Sequence, residues 1–259
     1  MSSSSLHLLY SRLLGLIVYR KIEKIFHDNT ERWLIAMKQS PQCIIKKCSL
    51  PGHKSSYHDR TSIVMQLQKQ GIRVLGISES FAHHDWSVLC GVVMRRDLHI
   101  DGFCFGKVRV GGMDATTEII RMIMSLNRQD VNAILLNGCV IAWYNVIDPG
   151  EISEITGLPV ICVSYKDSEG LSGHIMHHFP GDEKRLKLYE KLGERSLIQV
   201  KTGFSVYARG YGCDEHEARQ LIRIFTLHGK IPEPLRVARL CARTVMQHSW
   251  PGIGSPDNI

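Results

Sequence analysis

The order of apolar segments along the chain is the feature that most limits its possible folds. The run at 72–77 is rich in β-branched residues, and two more strand-like runs follow at 86–94 and 100–110. Only a short polar turn at 95–97 separates the second run from the third, which is typical of antiparallel neighbours. The pattern therefore predicts a three-strand antiparallel meander.

After the meander, the pattern changes to alternating helices and strands. Residues 113–126 carry apolar side chains at helical spacing, and strand-like runs at 131–136 and 159–163 flank a short helix at 149–156. A strand, a helix and a strand in this order favour parallel pairing. The predicted fold class is therefore α/β, with a mixed sheet of meander and parallel strands flanked by helices. Further helices are predicted at 182–193, 214–226 and 232–247, and further strands at 197–200 and 204–207.

The first 64 residues differ in charge from the rest of the chain. The formal net charge is +7, and residues 1–64 carry 10 Lys and Arg against 4 Asp and Glu, which accounts for +6 of it. We expect a basic, partly helical N-terminal extension, followed by one domain over residues 65–259. Because Met65 lies just before the first strand, the extension is either native or an upstream stretch joined to the gene product. The net charge of the domain cannot by itself support a nucleic-acid partner.

The extension also contains residue types that bind zinc. These are Cys43, Cys48, His53 and His58. The gap between the two histidines fits a zinc site, but the arrangement as a whole differs from the usual zinc-finger spacing. We expect a chance cluster in a basic loop, with zinc binding as the alternative.

The apolar stretch near the N-terminus does not have the features of a membrane span or a secretory signal. The apolar stretch Leu13–Tyr19 is too short to span a bilayer, and it continues directly into two basic residues without a cleavage site of small residues. Several cysteines lie inside apolar strand-like runs, as buried thiols do. We therefore expect a cytoplasmic protein without a membrane segment.

Polar residues follow the ends of two predicted strands. Ser78 follows the first strand and Asn137 the fourth, and open α/β sheets bind ligands at the carboxyl ends of their strands. Asp114 and Glu118 are four residues apart and can share one side of a helix. Spacing alone favours Asp114 as a helix cap and Glu118 as a solvated residue. The alternative is that all four converge on one polar cluster.

Five segments resemble a single protein family, in the same order along the chain. They read RVLGISES, GGMDATTEII, ILLNGCVIAWYNVID, GLPVICVSYK and IPEPLRVARL. Together they resemble an archaeal family of unknown function, the UPF 0215 family, which is similar to endonuclease V, and the resemblance covers about residues 71–247. The resemblance implies a ribonuclease H-like fold. Endonuclease V cuts nucleic acid beside deaminated purines and uses metal-bound carboxylates to do so. The resemblance therefore also implies a related activity.

The resemblance also implies where a site would lie. The first-strand aspartate of endonuclease V falls on Ser78, its helix glutamate on Glu118, and the aspartate after the fourth strand on Asn137. Its lysine after the fifth strand falls on Tyr165, with Lys166 adjacent. Because neutral oxygens compete poorly with water for Mg²⁺ or Mn²⁺, we expect only weak metal binding, at Glu118. We also expect Ser78, Glu118 and Asn137 to lie in one cleft.

Three functions are compatible with this site. The first, which we favour, is an endonuclease V-like protein that binds DNA or RNA and has a degenerate metal-nuclease site. The second is an active Mg²⁺- or Mn²⁺-dependent nuclease or hydrolase with a rebuilt site, to which Asp114 would contribute. The third is a non-catalytic scaffold or partner-binding protein that has kept only the fold.

Overall fold

The structure is a computed structural model that describes residues 71–81 and 85–247. The proposed extension, with its candidate zinc ligands Cys43, Cys48, His53 and His58, lies outside the described residues. Within the described ranges, no helix is both long and apolar enough to cross a membrane.

The described residues form one large mixed sheet and a separate hairpin. The strands are β1 (Arg73–Ser80), β2 (Trp86–Arg95), β3 (Ile100–Arg109), β4 (Ala133–Leu136), β5 (Val140–Ile141), β6 (Asn145–Val146), β7 (Val160–Ser164), β8 (Ser196–Gln199) and β9 (Ser205–Tyr211). The large sheet has seven strands in the order β3-β2-β1-β4-β7-β9-β8, while β5 and β6 pair with each other in a sheet of their own. β1, β2 and β3 are antiparallel neighbours, whereas β4 is parallel to both β1 and β7. The predicted meander and the mixed sheet are confirmed.

Six helices are described. They are α1 (Ala115–Leu126), α2 (Pro149–Thr156), α3 (Ser172–His178), α4 (Glu183–Glu190), α5 (Glu215–Phe225) and α6 (Glu233–Gln247). α5 begins with a capping box, in which Asp214 accepts a hydrogen bond from the backbone N–H of Glu217 and the Glu217 carboxylate accepts one from that of Asp214. The predicted helix at 182–193 is shorter in the structure, and α3 was not predicted.

The sheet is buried on both faces. One face packs against α5 and α6, and the other packs against α1 and α2. Along β1, Val74 belongs to the first face and Leu75 and Ile77 to the second, as strand alternation requires. β1 is longer than the predicted run because it pairs with β2 as far as Ser80. The alternation therefore continues through the polar residues that end the strand.

The C-terminal helix α6 packs closely on β1 and β2. Its buried side chains include Pro234, Leu235, Ala238, Ala242 and Val245, whereas Leu240 is exposed. The approach is closest at Gly76, where an added Cβ would lie 2.7 Å from the carbonyl carbon of Pro234. A glycine is needed here because the helix backbone occupies the space of a side chain.

We expect Gly76→Ala to lower the free energy of unfolding by about 1–3 kcal/mol, the usual cost of overpacking a core. Gly173→Ala is the matched control, since an added Cβ at this helical glycine meets nothing within 4 Å. It should be neutral or slightly stabilising. Urea unfolding of the two variants measures the difference, and equal stability would contradict the described packing of α6.

Candidate functional site

Ser78 lies on the α6 face of the sheet. The residue is buried, and its Oγ donates a hydrogen bond of 2.9 Å to the backbone carbonyl of Leu235 in α6. The hydroxyl is thus an additional donor to a carbonyl in the first turn of a packed helix. Its hydrogen bond in the structure is with α6.

Glu79 points to the opposite face, where α1 packs. One carboxylate oxygen accepts a hydrogen bond of 2.5 Å from the Ser87 hydroxyl, and the other accepts one of 3.1 Å from the backbone N–H of Ala142. Ala142 lies between β5 and β6, so this carboxylate fixes the small hairpin to the end of β1. Both of its oxygens are engaged by donors of the protein itself.

Glu118 lies on α1 above the edge strand β3. Its Oε1 accepts a hydrogen bond of 2.9 Å from the backbone N–H of Lys107, and Arg121 binds the two carboxylate oxygens at 2.6 Å each. This bidentate ion pair is the strong arrangement for a guanidinium and a carboxylate. Glu118 is therefore neither solvated nor directed at the strand ends, and its charge is balanced by Arg121.

Asp114 does not cap α1 with its side chain, although spacing alone favours that role. Its carboxylate instead accepts a hydrogen bond of 2.6 Å from the amide of Asn145 and one of 3.1 Å from the backbone N–H of Arg109. The amide oxygen of Asn145 accepts a hydrogen bond of 3.1 Å from the backbone N–H of Ala115. A residue of β6 thus caps the helix, and Asp114 holds that residue in place.

Part of the expected convergence is found, since Ser78 and Asn137 line one small cavity together with Glu79. Glu118 is the correction, because it is bound to Lys107 and Arg121 instead. The side chains of Ser78 and Glu118 contact elements on opposite faces of the sheet, because β1 alternates through Ser78. Asn137 follows β4, with its backbone N–H bonded to the carbonyl of Ile77 at 3.0 Å. Among the described residues, no group of three or more His, Cys, Asp or Glu side chains could hold a metal ion. The donor set does not fit Mg²⁺ or Mn²⁺, which need several free oxygens in one place.

An open cleft of about 1000 Å³ lies at the carboxyl ends of β4 and β7. Asn137 lines it from β4, and Tyr165 and Lys166 line it from the end of β7. Lys166 is exposed, whereas the Tyr165 hydroxyl is buried and has no hydrogen-bond partner within the described part of the chain. Burial raises the pKa of Tyr165. The structure thus brings together Asn137 and Lys166, two of the positions that the sequence predicted.

The cleft is lined by more cationic than anionic side chains. The cations are Lys166, Arg195, Arg209, Lys230 and Arg239, and the anions are Asp167, Glu169 and Glu194. Two of the cations shape the rim: Arg195 donates to the carbonyls of Lys166 and Ser168 at 2.9 and 3.0 Å, and Lys230 donates to that of Tyr165 at 2.9 Å. The four cations beyond Lys166 were not predicted from the sequence, because they come from distant segments that only the fold brings together.

The fold and this strand-end cleft define an α/β protein of the ribonuclease H-like class. The family model described as Endonuclease dU matches residues 70–246, and the chain belongs to this family. A UPF0215 protein of Pyrobaculum calidifontis is 36% identical over 176 residues, which cover 67% of this chain and 97% of the relative. One from Methanosarcina mazei is 34% identical over 178 residues, covering 67% and 90%. The predicted UPF 0215 membership is confirmed.

Solved structures agree with this placement. A protein of unknown function from Archaeoglobus fulgidus superposes with a TM-score of 0.60 at 26% identity, covering 68% of this chain and 98% of that one. Human endonuclease V gives 0.51 at 16% identity, covering 71% and 88%. A single-residue variant of endonuclease V from Ciona intestinalis, in complex with DNA containing an inosine, gives 0.51 at 16% identity, covering 74% and 91%. At this identity the endonuclease V structures show the fold alone, and they confirm it.

We expect Ser78→Asp to destabilise the protein without creating a metal site. The new carboxylate would face the Leu235 carbonyl, so a hydrogen bond would become a repulsion between two buried acceptors, at a cost of about 3 kcal/mol or more. Burial would raise the carboxyl pKa in the folded state. The loss should therefore be greatest at neutral pH and shrink as the pH falls towards about 4, where the unfolded state is protonated as well.

Denaturant unfolding at several pH values, with and without Mn²⁺, measures this effect. Ser205→Asp is the control, because Ser205 is an exposed serine in β9. A Ser78→Asp variant that is as stable as this control, or that Mn²⁺ stabilises, would show that the side chain at position 78 does not face α6.

Proposed function

We propose that this chain binds single-stranded nucleic acid in the cleft at the ends of β4 and β7, and that it does so without a nuclease-type metal centre. One observation carries the proposal: Asn137 and Tyr165, two positions that the resemblance matches to the endonuclease V site, line the same cleft together with the adjacent Lys166. Ligands of open α/β sheets bind at these strand ends. The position is therefore the one at which a protein of this fold is expected to bind its ligand.

Charge supports a polyanionic ligand. Lys166, Lys230 and Arg239 line the cleft together with two further arginines, and cations in a groove attract phosphates even when the domain as a whole is nearly neutral. Size favours a single strand. The cleft volume of about 1000 Å³ lies at the upper end of the range for small-molecule pockets, which suits a nucleotide of a single strand and is too small to enclose a duplex.

The carboxylates support binding over metal-dependent cleavage. Each of Glu79, Asp114 and Glu118 accepts two or more hydrogen bonds from the protein, and Arg121 balances the charge of Glu118. A metal would have to displace these donors before it could bind. The rival function, an active Mg²⁺- or Mn²⁺-dependent nuclease, requires that displacement.

The names of the relatives suggest which ligands to test. The family is described as Endonuclease dU, so the first ligand is a single-stranded oligonucleotide that contains deoxyuridine. The Ciona intestinalis structure contains a DNA with an inosine, so an inosine-containing strand is the second ligand. Unmodified DNA and RNA strands of equal length complete the set.

We expect the full chain to bind these strands with a marked dependence on salt, and Lys166→Ala and Arg239→Ala to weaken binding. Each lost phosphate contact should lower the slope of log K against log salt by about 0.7 for a single strand. Lys187→Ala is the matched control, because this lysine lies on α4, where its ammonium pairs with Glu183. Fluorescence anisotropy at several salt concentrations gives both the affinity and the slope.

Each of three results would contradict the proposal. One is the absence of binding to any strand, which would favour a scaffold. Another is cleavage of a strand that starts when Mg²⁺ or Mn²⁺ is added and is lost in Glu118→Ala, which would favour the nuclease. The third is equal effects of Lys166→Ala and Lys187→Ala, which would place the ligand outside the cleft.

A further inference from the structure

The tip of the β5–β6 hairpin has an unusual backbone. Ala142, Trp143 and Tyr144 have φ values of 40°, 57° and 62°, so three consecutive residues other than glycine adopt the left-handed conformation. Each such residue costs about 1–2 kcal/mol relative to an ordinary conformation. Strain of this kind persists only where the surrounding structure holds it, and it is concentrated at functional sites.

Several groups hold this tip in place. The Glu79 carboxylate accepts a hydrogen bond of 3.1 Å from the backbone N–H of Ala142. The Ala142 carbonyl in turn accepts one of 2.7 Å from the backbone N–H of Gly111. The buried guanidinium of Arg185 donates to the carbonyl of Tyr144. The same guanidinium donates to the carbonyls of Gly111 and Gly112 at 2.9 Å each. The strained conformation is thus fixed by a carboxylate, a backbone amide and a buried cation.

The result of this arrangement is an aromatic surface. Trp143 is 49% exposed, and its ring centroid lies 5.1 Å from that of His178. Tyr144 stacks on His178 with the centroids 5.4 Å apart and the planes at 29°. A single exposed tryptophan needs no explanation. Here, however, the backbone is strained to place the ring outward beside two further rings.

A further aromatic side chain, that of Trp86, lies next to two cations. Nζ of Lys107 lies 4.4 Å from the ring centroid of Trp86, and Cζ of Arg109 lies 5.2 Å from it. The Arg109 carbonyl accepts the amide of Asn145, the residue that follows the hairpin tip. Aromatic faces next to cations are the combination with which proteins bind single-stranded nucleic acid, where bases stack on the rings and phosphates meet the charges.

We propose that Trp143, with Tyr144 and His178, forms a stacking platform for a base of the single strand that occupies the cleft. This inference rests on the proposed function and adds the residues that bind a base. Val140 of β5 lines the cleft, and Trp143 lies three residues further on, so the platform is within about 10 Å of the cleft along the chain.

The test compares Trp143→Ala with Trp143→Phe in the full chain. We expect Trp143→Ala to weaken binding of a deoxyuridine-containing single strand about 5- to 150-fold, because a stacked base contributes about 1–3 kcal/mol. Trp143→Phe should keep most of the affinity, because phenylalanine also offers a stacking face. Leu240→Ala is the control, since this leucine is equally exposed, at 50%, on α6.

An abasic strand of the same length separates stacking from charge. It keeps the phosphates, so the wild type should bind it more weakly than the intact strand, while Trp143→Ala should bind the two alike. If Trp143→Ala did not fold, the affinities of the wild type for the abasic and the intact strand would still show whether a base contributes to binding. The proposed platform would be wrong if the wild type bound both strands with equal affinity. It would also be wrong if Trp143→Ala bound the intact strand as tightly as the wild type does.

The failure of the platform differs from the failure of the proposed function. If Lys166→Ala weakened binding and Trp143→Ala did not, the cleft would remain the binding site and the platform alone would be wrong. If the wild type bound no strand, both would be wrong.

Discussion

A buried guanidinium, that of Arg185, connects the parts of the molecule on which the candidate site depends. It pairs with Asp182 at 2.9 Å, donates to the carbonyls of the β3–α1 turn and of the hairpin tip, and lies 3.9 Å above the ring of Phe179. A buried cation is stable only when its donors are satisfied, and removing its partners is costly. Arg185 therefore fixes α4, the β3–α1 turn and the β5–β6 hairpin relative to one another.

The carboxylates near the ends of β1 and β3 stabilise the protein's own backbone. Glu79 binds the hairpin, Asp114 binds the amide that caps α1, and Glu118 binds the backbone of β3 and is neutralised by Arg121. In a metal-dependent nuclease, carboxylates stay available to a cation, which supplies charge stabilisation and activates water. Here they satisfy buried donors, which favours a rigid binding surface. The strained tip that carries Trp143 depends on the same contacts.

The sequence predicted the layers of the fold better than the directions of its side chains. Apolar periodicity was sufficient for the meander and for α1. Periodicity could not show which face of β1 meets α6, so the direction of Ser78 was not predictable without the packing of Pro234 and Leu235.

The hairpin and the cleft could not be predicted from the sequence, for two different reasons. β5 and β6 have two residues each, too few for any alternation to be visible, and α3 has only seven residues and a single buried apolar side chain, that of Ile175. The cations of the cleft come from segments as distant as Lys166 and Arg239. Only the resemblance to a known family placed Asn137 and Lys166 near one another before the fold was considered.

The central claim is that the carboxylates near the ends of β1 and β3 are occupied by protein donors. Paramagnetic line broadening by Mn²⁺ tests this most directly, in amide spectra of the full chain at neutral pH. We predict that the signals of Lys107 and Ala142, whose N–H groups bind Glu118 and Glu79, broaden no more than those of exposed amides elsewhere. Selective broadening of both signals at low Mn²⁺ concentration, reversed by a chelator, would contradict it.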